Sequence, residues 1–305
     1  MSRYPLRLPA ASLALAGALL SSPAFAQAPN RNELNGTISL TGVNQFNSDL
    51  DGGGSTGWAS VIANSGWSWQ VTPQLGAGVT LRYDYEKWRF SNPVAFQGQA
   101  PWDQLNAISL GFNLDYAYSS DLRFGMTPVI EWAYETGAGD GNVLNYGAIV
   151  SATRIFSPQL ILGVGVGVFR QIDETKVFPF LIVQWQIDDR WRLANPFRAG
   201  PAGGAGLELT YAVDDNWEIA GGGAYRSYRF RLNDIGIAPG GVGENRFFPL
   251  FVRASRKFGP ATRLDLYAGA STGGRVSVDS AQGNQVARDD YKTAPAIGLT
   301  LSHRY

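Results

Sequence analysis

Histidine, the side chain best suited to exchanging a proton near neutral pH, occurs once in the 305 residues, as His303, and cysteine does not occur at all. Without cysteine there is no disulfide, thiolate-held zinc, iron–sulfur cluster or thiol nucleophile. A single histidine leaves one base for any Ser-His-Asp arrangement. What remains is carboxylate and guanidinium chemistry. Arg82, Asp84 and Glu86 recur at every second position, and so do Arg263 and Asp265. That spacing puts them on one face of a strand, where opposite charges neutralise one another, so ion pairs are expected rather than an acid–base couple. Asp49-Leu50-Asp51-Gly52-Gly53-Gly54 has the composition of a calcium loop but neither its ordered ligand spacing nor its closing Glu. Gly221-Gly222-Gly223 lies in a strand pattern with no helix after it, which a phosphate-cradling loop requires. No metal, no cofactor and no enzymatic activity are expected.

The elements that carry these residues read as strands. Leu75, Ala77, Val79, Leu81, Tyr83 and Tyr85 alternate with Gly76, Gly78, Thr80, Arg82, Asp84 and Glu86, and two further stretches repeat the pattern, from Ile108 to Tyr118 and from Leu160 to Val168. Period-two alternation means strands with one apolar and one polar face. Compact turns (Thr72-Pro73-Gln74, Ser119-Ser120-Asp121, Ser157-Pro158-Gln159, Asp188-Asp189, Asp214-Asp215-Asn216, Gly259-Pro260) alternate with longer loops at about 47–56, 89–103, 135–142, 171–175, 195–204, 231–245 and 277–290. These connections delimit about 14 antiparallel strands. The short apolar run Trp191–Leu193 leaves 12 full strands plus a stunted hairpin as the alternative.

Lys plus Arg number 25 and Asp plus Glu 25, so no net basic field favours nucleic acid. Lysine appears only at 87, 176, 257 and 292, a poor match to a surface hydrated on all sides. Residues 1–26 have the pattern of a cleaved signal peptide: Arg3 and Arg7, the apolar run Ala10–Leu20, then Ala24-Phe25-Ala26. The mature chain, 27–305, is then a single domain without an apolar run long enough for a transmembrane helix. Trp67, Trp69, Tyr116, Tyr118, Trp132, Tyr134, Trp185, Trp191 and Trp217 gather at strand ends, as rings do at the two lipid–water interfaces. The apolar faces are therefore expected to point outward, into lipid.

The last strand, Ile297-Gly298-Leu299-Thr300-Leu301-Ser302-His303-Arg304-Tyr305, ends on an aromatic residue with apolar residues at alternate positions. It resembles the terminal strand of bacterial outer-membrane β-barrel proteins, and the chain is most similar to porin-like barrels of unknown function. The resemblance implies a closed transmembrane barrel in a Gram-negative outer membrane, with Ile297, Leu299, Leu301 and Tyr305 as its assembly signal. It also implies short turns on the periplasmic side, and contact with lipid, lipopolysaccharide, periplasmic chaperones and the assembly machinery. The first strand, with Ile38 and Leu40 outward, should pair with the last, because lipid cannot satisfy a sheet edge. Outer-membrane barrel enzymes depend on histidine, and His303 falls on the lipid face. A passive channel for small polar solutes is therefore expected. Arg82, Asp84, Glu86, Asp115, Arg123, Glu131, Glu208, Glu218, Arg253, Arg263 and Asp265 are its expected lining. Two alternatives are a non-conducting barrel displaying loops 89–103 and 231–245 to a partner, and an uncharacterised barrel enzyme. The sequence does not specify substrate, selectivity or oligomeric state.

Overall fold

The computed structural model describes residues 34–139, 143–197 and 200–305; the expected signal peptide lies outside them. Its strands are β1 (Asn35–Asp49), β2 (Ser55–Gln70), β3 (Leu75–Ser91), β4 (Gln104–Ala117), β5 (Leu122–Glu135), β6 (Leu144–Ser157), β7 (Leu160–Gln171) and β8 (Glu174–Gln186). They continue with β9 (Trp191–Ala194), β10 (Gly206–Ala212), β11 (Trp217–Ala224), β12 (Arg226–Arg231), β13 (Val242–Phe258), β14 (Thr262–Asp279), β15 (Gln285–Tyr291) and β16 (Ala294–Arg304). These segments make 14 staves. β11 and β12 run in one register along β13, and β15 and β16 in one register along β14. β9 is the stunted stave anticipated at Trp191, and it keeps its place in the wall by pairing with both β8 and β10.

Closure is between the first and last staves, with Ile38 opposite His303 and Leu40 opposite Leu301. The wall is thus a closed antiparallel barrel, and its outward residues are apolar: Ile38, Leu40, Val150, Val164, Leu181, Val252, Leu266 and Leu299 are all exposed. Trp185, Trp191 and Trp217 ring the end with the short turns, while Trp132 faces outward near the other. An apolar belt between aromatic ends is the surface of a barrel that spans a membrane. At the short-turn rim, the Asp188 carboxylate accepts the amide hydrogens of Arg190 (2.8 Å) and Trp191 (2.7 Å). Those bonds hold its pKa below the usual carboxylate range.

The opposite rim departs from the expected picture. Loops read as 47–56, 171–175 and 277–290 are shorter, because β1, β7, β8, β14 and β15 continue into them. Loops 89–103 and 231–245 keep exposed tips, with Val94 and Ile235 in solvent, but each also sends residues inward. Phe96, Trp102, Leu232 and Ala238 are buried with Trp58, Trp88, Phe230 and Phe247 in one apolar core that fills that end of the barrel. The rings interlock, Trp102 standing edge-on to Trp88 (5.3 Å) and to Phe230 (5.1 Å) and Trp58 lying 5.9 Å from Phe247.

Phe230 reaches that core because the wall rolls inward. A β-bulge falls between Arg246 and Phe248, and opposite it Gly273 takes a left-handed φ of 58°, a conformation that glycine adopts without a Cβ penalty. Bulges bend a strand and sharpen its twist. Past the bend, β12 passes inside β6–β8 to meet β5, where Arg231 pairs with Tyr134. On the way, the Asn145 side-chain amide donates to the Arg229 carbonyl (3.3 Å).

Candidate functional site

All eleven expected lining residues lie on the inner face, in two separate groups and at one rim. β3 and β5 carry Arg82, Asp84, Glu86 and Glu131 into a cavity that also touches Val129, Ala202, Ala205, Tyr225 and Arg226. Arg82 donates to Asp84 through Nε (3.0 Å) and Nη2 (2.6 Å). Glu86 accepts from the Trp88 indole (3.0 Å), and Glu131 from Asn145 (3.1 Å).

The second group lies on β10, β11, β13 and β14, nearer the short-turn rim. Arg253, only 2% exposed, pairs with Glu208 and with Asp265 (3.2 Å). Asp265 also accepts from Ser255 and from Arg263 (2.7 Å). Glu218 gathers four cations, Lys257 at 3.0 Å, Arg263 at 3.1 Å, Arg192 at 3.8 Å and Arg253 at 4.0 Å. Period-two spacing along β13 and β14 brings these side chains to one wall. Asp115 and Arg123 sit apart from both groups, at the short-turn mouth beside the β4–β5 turn. The expected lining residues thus divide between the short-turn mouth and two charged patches.

Between them runs a segment that the sequence presented as an extracellular loop. Residues 200–205 of the β9–β10 connection fold into the lumen, where Pro201 approaches Gly298 of β16 and Ala202 packs on Ala224, Phe251 and Tyr267. Residues 202–205 bound the cavity of β3 and β5 on one side, and Pro201 and Ala202 bound a second cavity against β1, β13, β14 and β16 on the other. Arg226 donates to the Pro201 carbonyl, tying this segment to β12. Its repeated Gly, Ala and Pro were the available signal: small residues suit a chain that must pass between two walls.

His303 is outward at the short-turn rim, its Nδ1 in a 2.8 Å hydrogen bond with the Thr262 hydroxyl and its ring stacked on Tyr305. Among the described residues, no three His, Cys, Asp or Glu side chains converge on a common point. Ile297, Leu299, Leu301 and Tyr305 all face outward.

Residues 140–238 match the family model described as a domain of unknown function, DUF6268. No curated protein matches the chain. Among solved structures, it is similar to the COG4313 outer membrane channel from Pseudomonas putida F1, with TM-score 0.49 and 11% identity over 93% of this chain and 99% of that one. It is also similar to the Pseudomonas putida toluene transporter TodX, with TM-score 0.47 and 11% identity over 90% of each chain. A third is the translocator domain of the autotransporter NalP from Neisseria meningitidis, with TM-score 0.35 and 11% identity over 91% of this chain and 90% of that one.

Proposed function

We propose that this barrel is an outer-membrane channel for small polar solutes, held closed in the arrangement described above. The observation that carries this reading is the lumen at mid-height. A charged and hydroxylated wall on β10, β11, β13 and β14 is separated from the charged cavity on β3 and β5 by one short inserted segment, Gly200–Ala205. Fourteen staves are intermediate between small barrels filled by their own side chains and sixteen-stranded porins with an aqueous channel. Such a wall has room for a passage once the inserted segment withdraws and β12, which carries both the Arg226 tether and Phe230, parts from the aromatic core at the long-loop end. A barrier of Gly, Pro and Ala offers few side chains to hold it, and a guanidinium tether such as Arg226 to Pro201 is a bond that water can replace. Mixed charge on both patches supports passage of polar solutes without a strong preference for sign.

The test is planar-bilayer recording of the refolded protein. Discrete conductance steps, rare in the wild type and frequent once the tether is removed, are expected. A correctly folded barrel that conducts at no voltage, with or without the tether, would overturn the channel reading.

A further inference from the structure

The barrel wall is not closed by hydrogen bonds over its full height. β8 pairs with β9 only through Gln184–Gln186, and β10 begins at Gly206, opposite Ala224. Above that level, β8 from Glu174 to Ile182 and β12 have no ladder between them among the described residues. β12 instead lies inside β8, so the wall overlaps itself like the edge of a rolled sheet.

The margins of this overlap are pinned at two places. Below, Asn195 links the two sides: its side chain accepts the Val183 amide (3.0 Å) and donates to the carbonyls of Leu181 (3.0 Å) and Gly206 (2.9 Å). Above, Lys176 reaches Glu244 (3.1 Å) and Arg229 reaches Asp173 (2.9 Å). Between the pins, the free edge of β8 carries Pro179, which has no amide hydrogen to leave unpaired.

This slit lies at membrane depth. Its outer lips are Val177 and Leu181 of β8 on one side and, just past the end of the β10–β11 ladder, Phe248 of β13 on the other, all exposed. Leu181 is four residues above the rim ring Trp185, about 13 Å along a strand rising 3.3 Å per residue, inside an apolar band about 25 Å tall.

The slit leads to an apolar interior. Tyr225 stands in it, its ring 4.9 Å from outward Phe248 while it also lines the inner cavity. Inside, Phe178 and Phe180 fold away from the opening onto β7, their rings occupying the space where a Cβ of Gly167 or Gly165 would stand. With Val129, Ile149, Phe169 and Ala205 they form an apolar floor. Vertical exit from this cavity on the loop side is filled by the interlocked core of Trp58, Trp88, Trp102, Phe230 and Phe247. Opening that route would separate buried aromatic rings, whereas opening the slit breaks no backbone ladder.

We propose that the overlap between β8 and β12 is a lateral portal, through which an acyl chain or a similarly slender apolar molecule passes between the membrane and the lumen cavity. The apolar body lies on the Phe178–Phe180 floor, and a polar end meets Ser227, Lys176 and Arg229 above it. The portal goes beyond the polar-solute channel and does not depend on it.

The test uses the full mature barrel in nanodiscs containing phosphatidylcholine with a diazirine midway along one acyl chain, a probe that cannot leave the bilayer. After irradiation, labelled residues are mapped by mass spectrometry. Labelling of Tyr225, Phe180 or Ala205 alongside the outward residues is expected. Tyr225→Ala should raise inner labelling at least three-fold, and Ala205→Trp should abolish it while leaving outer labelling unchanged. Label confined to outward residues in both the wild type and Tyr225→Ala, each confirmed as folded by heat-modifiable migration, would overturn the portal. Conductance without inner labelling would keep the polar channel and reject the portal; inner labelling without conductance would do the reverse.

Discussion

Arg226, at the start of β12, donates to the main-chain carbonyl of Pro201, so the two segments that enter the lumen hold each other. The same guanidinium is buried and lines the cavity that Asp84 and Glu86 also line. Arg226→Ala removes the tether and leaves the wall ladder of β11 on β13 intact. The expected outcome is a rise of ten-fold or more in the fraction of time spent conducting, read in planar bilayers. Unchanged closure would mean that packing of Ala202 on Phe251 and Tyr267, not the tether, holds the segment.

Outward and inward parity can be tested on adjacent residues. Val150 faces lipid in the middle of β6 and is 51% exposed, whereas Ser151 is half-buried on the inner face. Val150→Arg should cost about 2–4 kcal/mol, the range for a cation near the bilayer midplane. Ser151→Arg should cost far less, measured by urea titration of refolding into lipid vesicles. Leu299 and Thr300 make a poorer pair, because Thr300 is fully buried, its hydroxyl 2.8 Å from that of Thr41. An arginine there meets packing as well as charge.

The barrel was legible in the sequence because lipid imposes one rule on every stave: alternate residues must be apolar. Ile38, Val150, Val164 and Leu299 obey it, and even the four-residue β9 follows from its turns and from Trp191. The closed interior was not legible, because no such rule applies there. Arg226-Ser227-Tyr228-Arg229-Phe230-Arg231 buries residues on both faces of β12 and so has no contrast between faces to read. Trp58, Trp88 and Trp102 resemble interfacial girdle residues in composition, yet they point inward and fill the lumen. Pro179 did carry a signal, since proline in a strand marks an edge. In a closed barrel an edge is an opening.

The buried charges of the second patch should contribute to stability only as a set. Arg253→Met leaves Glu208 without its cation and with little access to water, while Asp265 keeps Arg263. Removing one partner of a buried ionic group typically costs about 3–5 kcal/mol. That loss should appear as a lower urea midpoint, followed by tryptophan fluorescence. Adding Glu208→Gln to Arg253→Met should restore part of it, because the unpaired charge disappears. If the single substitution is neutral, water reaches this wall and the patch is more open than its 2% exposure at Arg253 implies.

Selectivity should turn on Glu218, a carboxylate held by four cations near the short-turn mouth. Arg192 and Lys257 are partly exposed there, with 44% and 39% of their side chains accessible, while the Glu218 side chain is 8% accessible. In the wild type, the carboxylate cancels part of their field. Glu218→Gln leaves Arg192 and Lys257 uncompensated, while Arg263 keeps Asp265, and fixed positive charge at a constriction raises the local anion concentration. In the background of Arg226→Ala, which supplies an open passage, the reversal potential across a potassium chloride gradient should therefore move toward that of chloride. Screening sets the size of the effect: the Debye length is about 10 Å at 0.1 M and about 3 Å at 1 M, so the shift should be large at the lower concentration and small at the higher. A reversal potential that ignores the substitution at both concentrations would place the conducting path away from β11, and leave the β3 and β5 patch, around Arg82 and Asp84, as its lining.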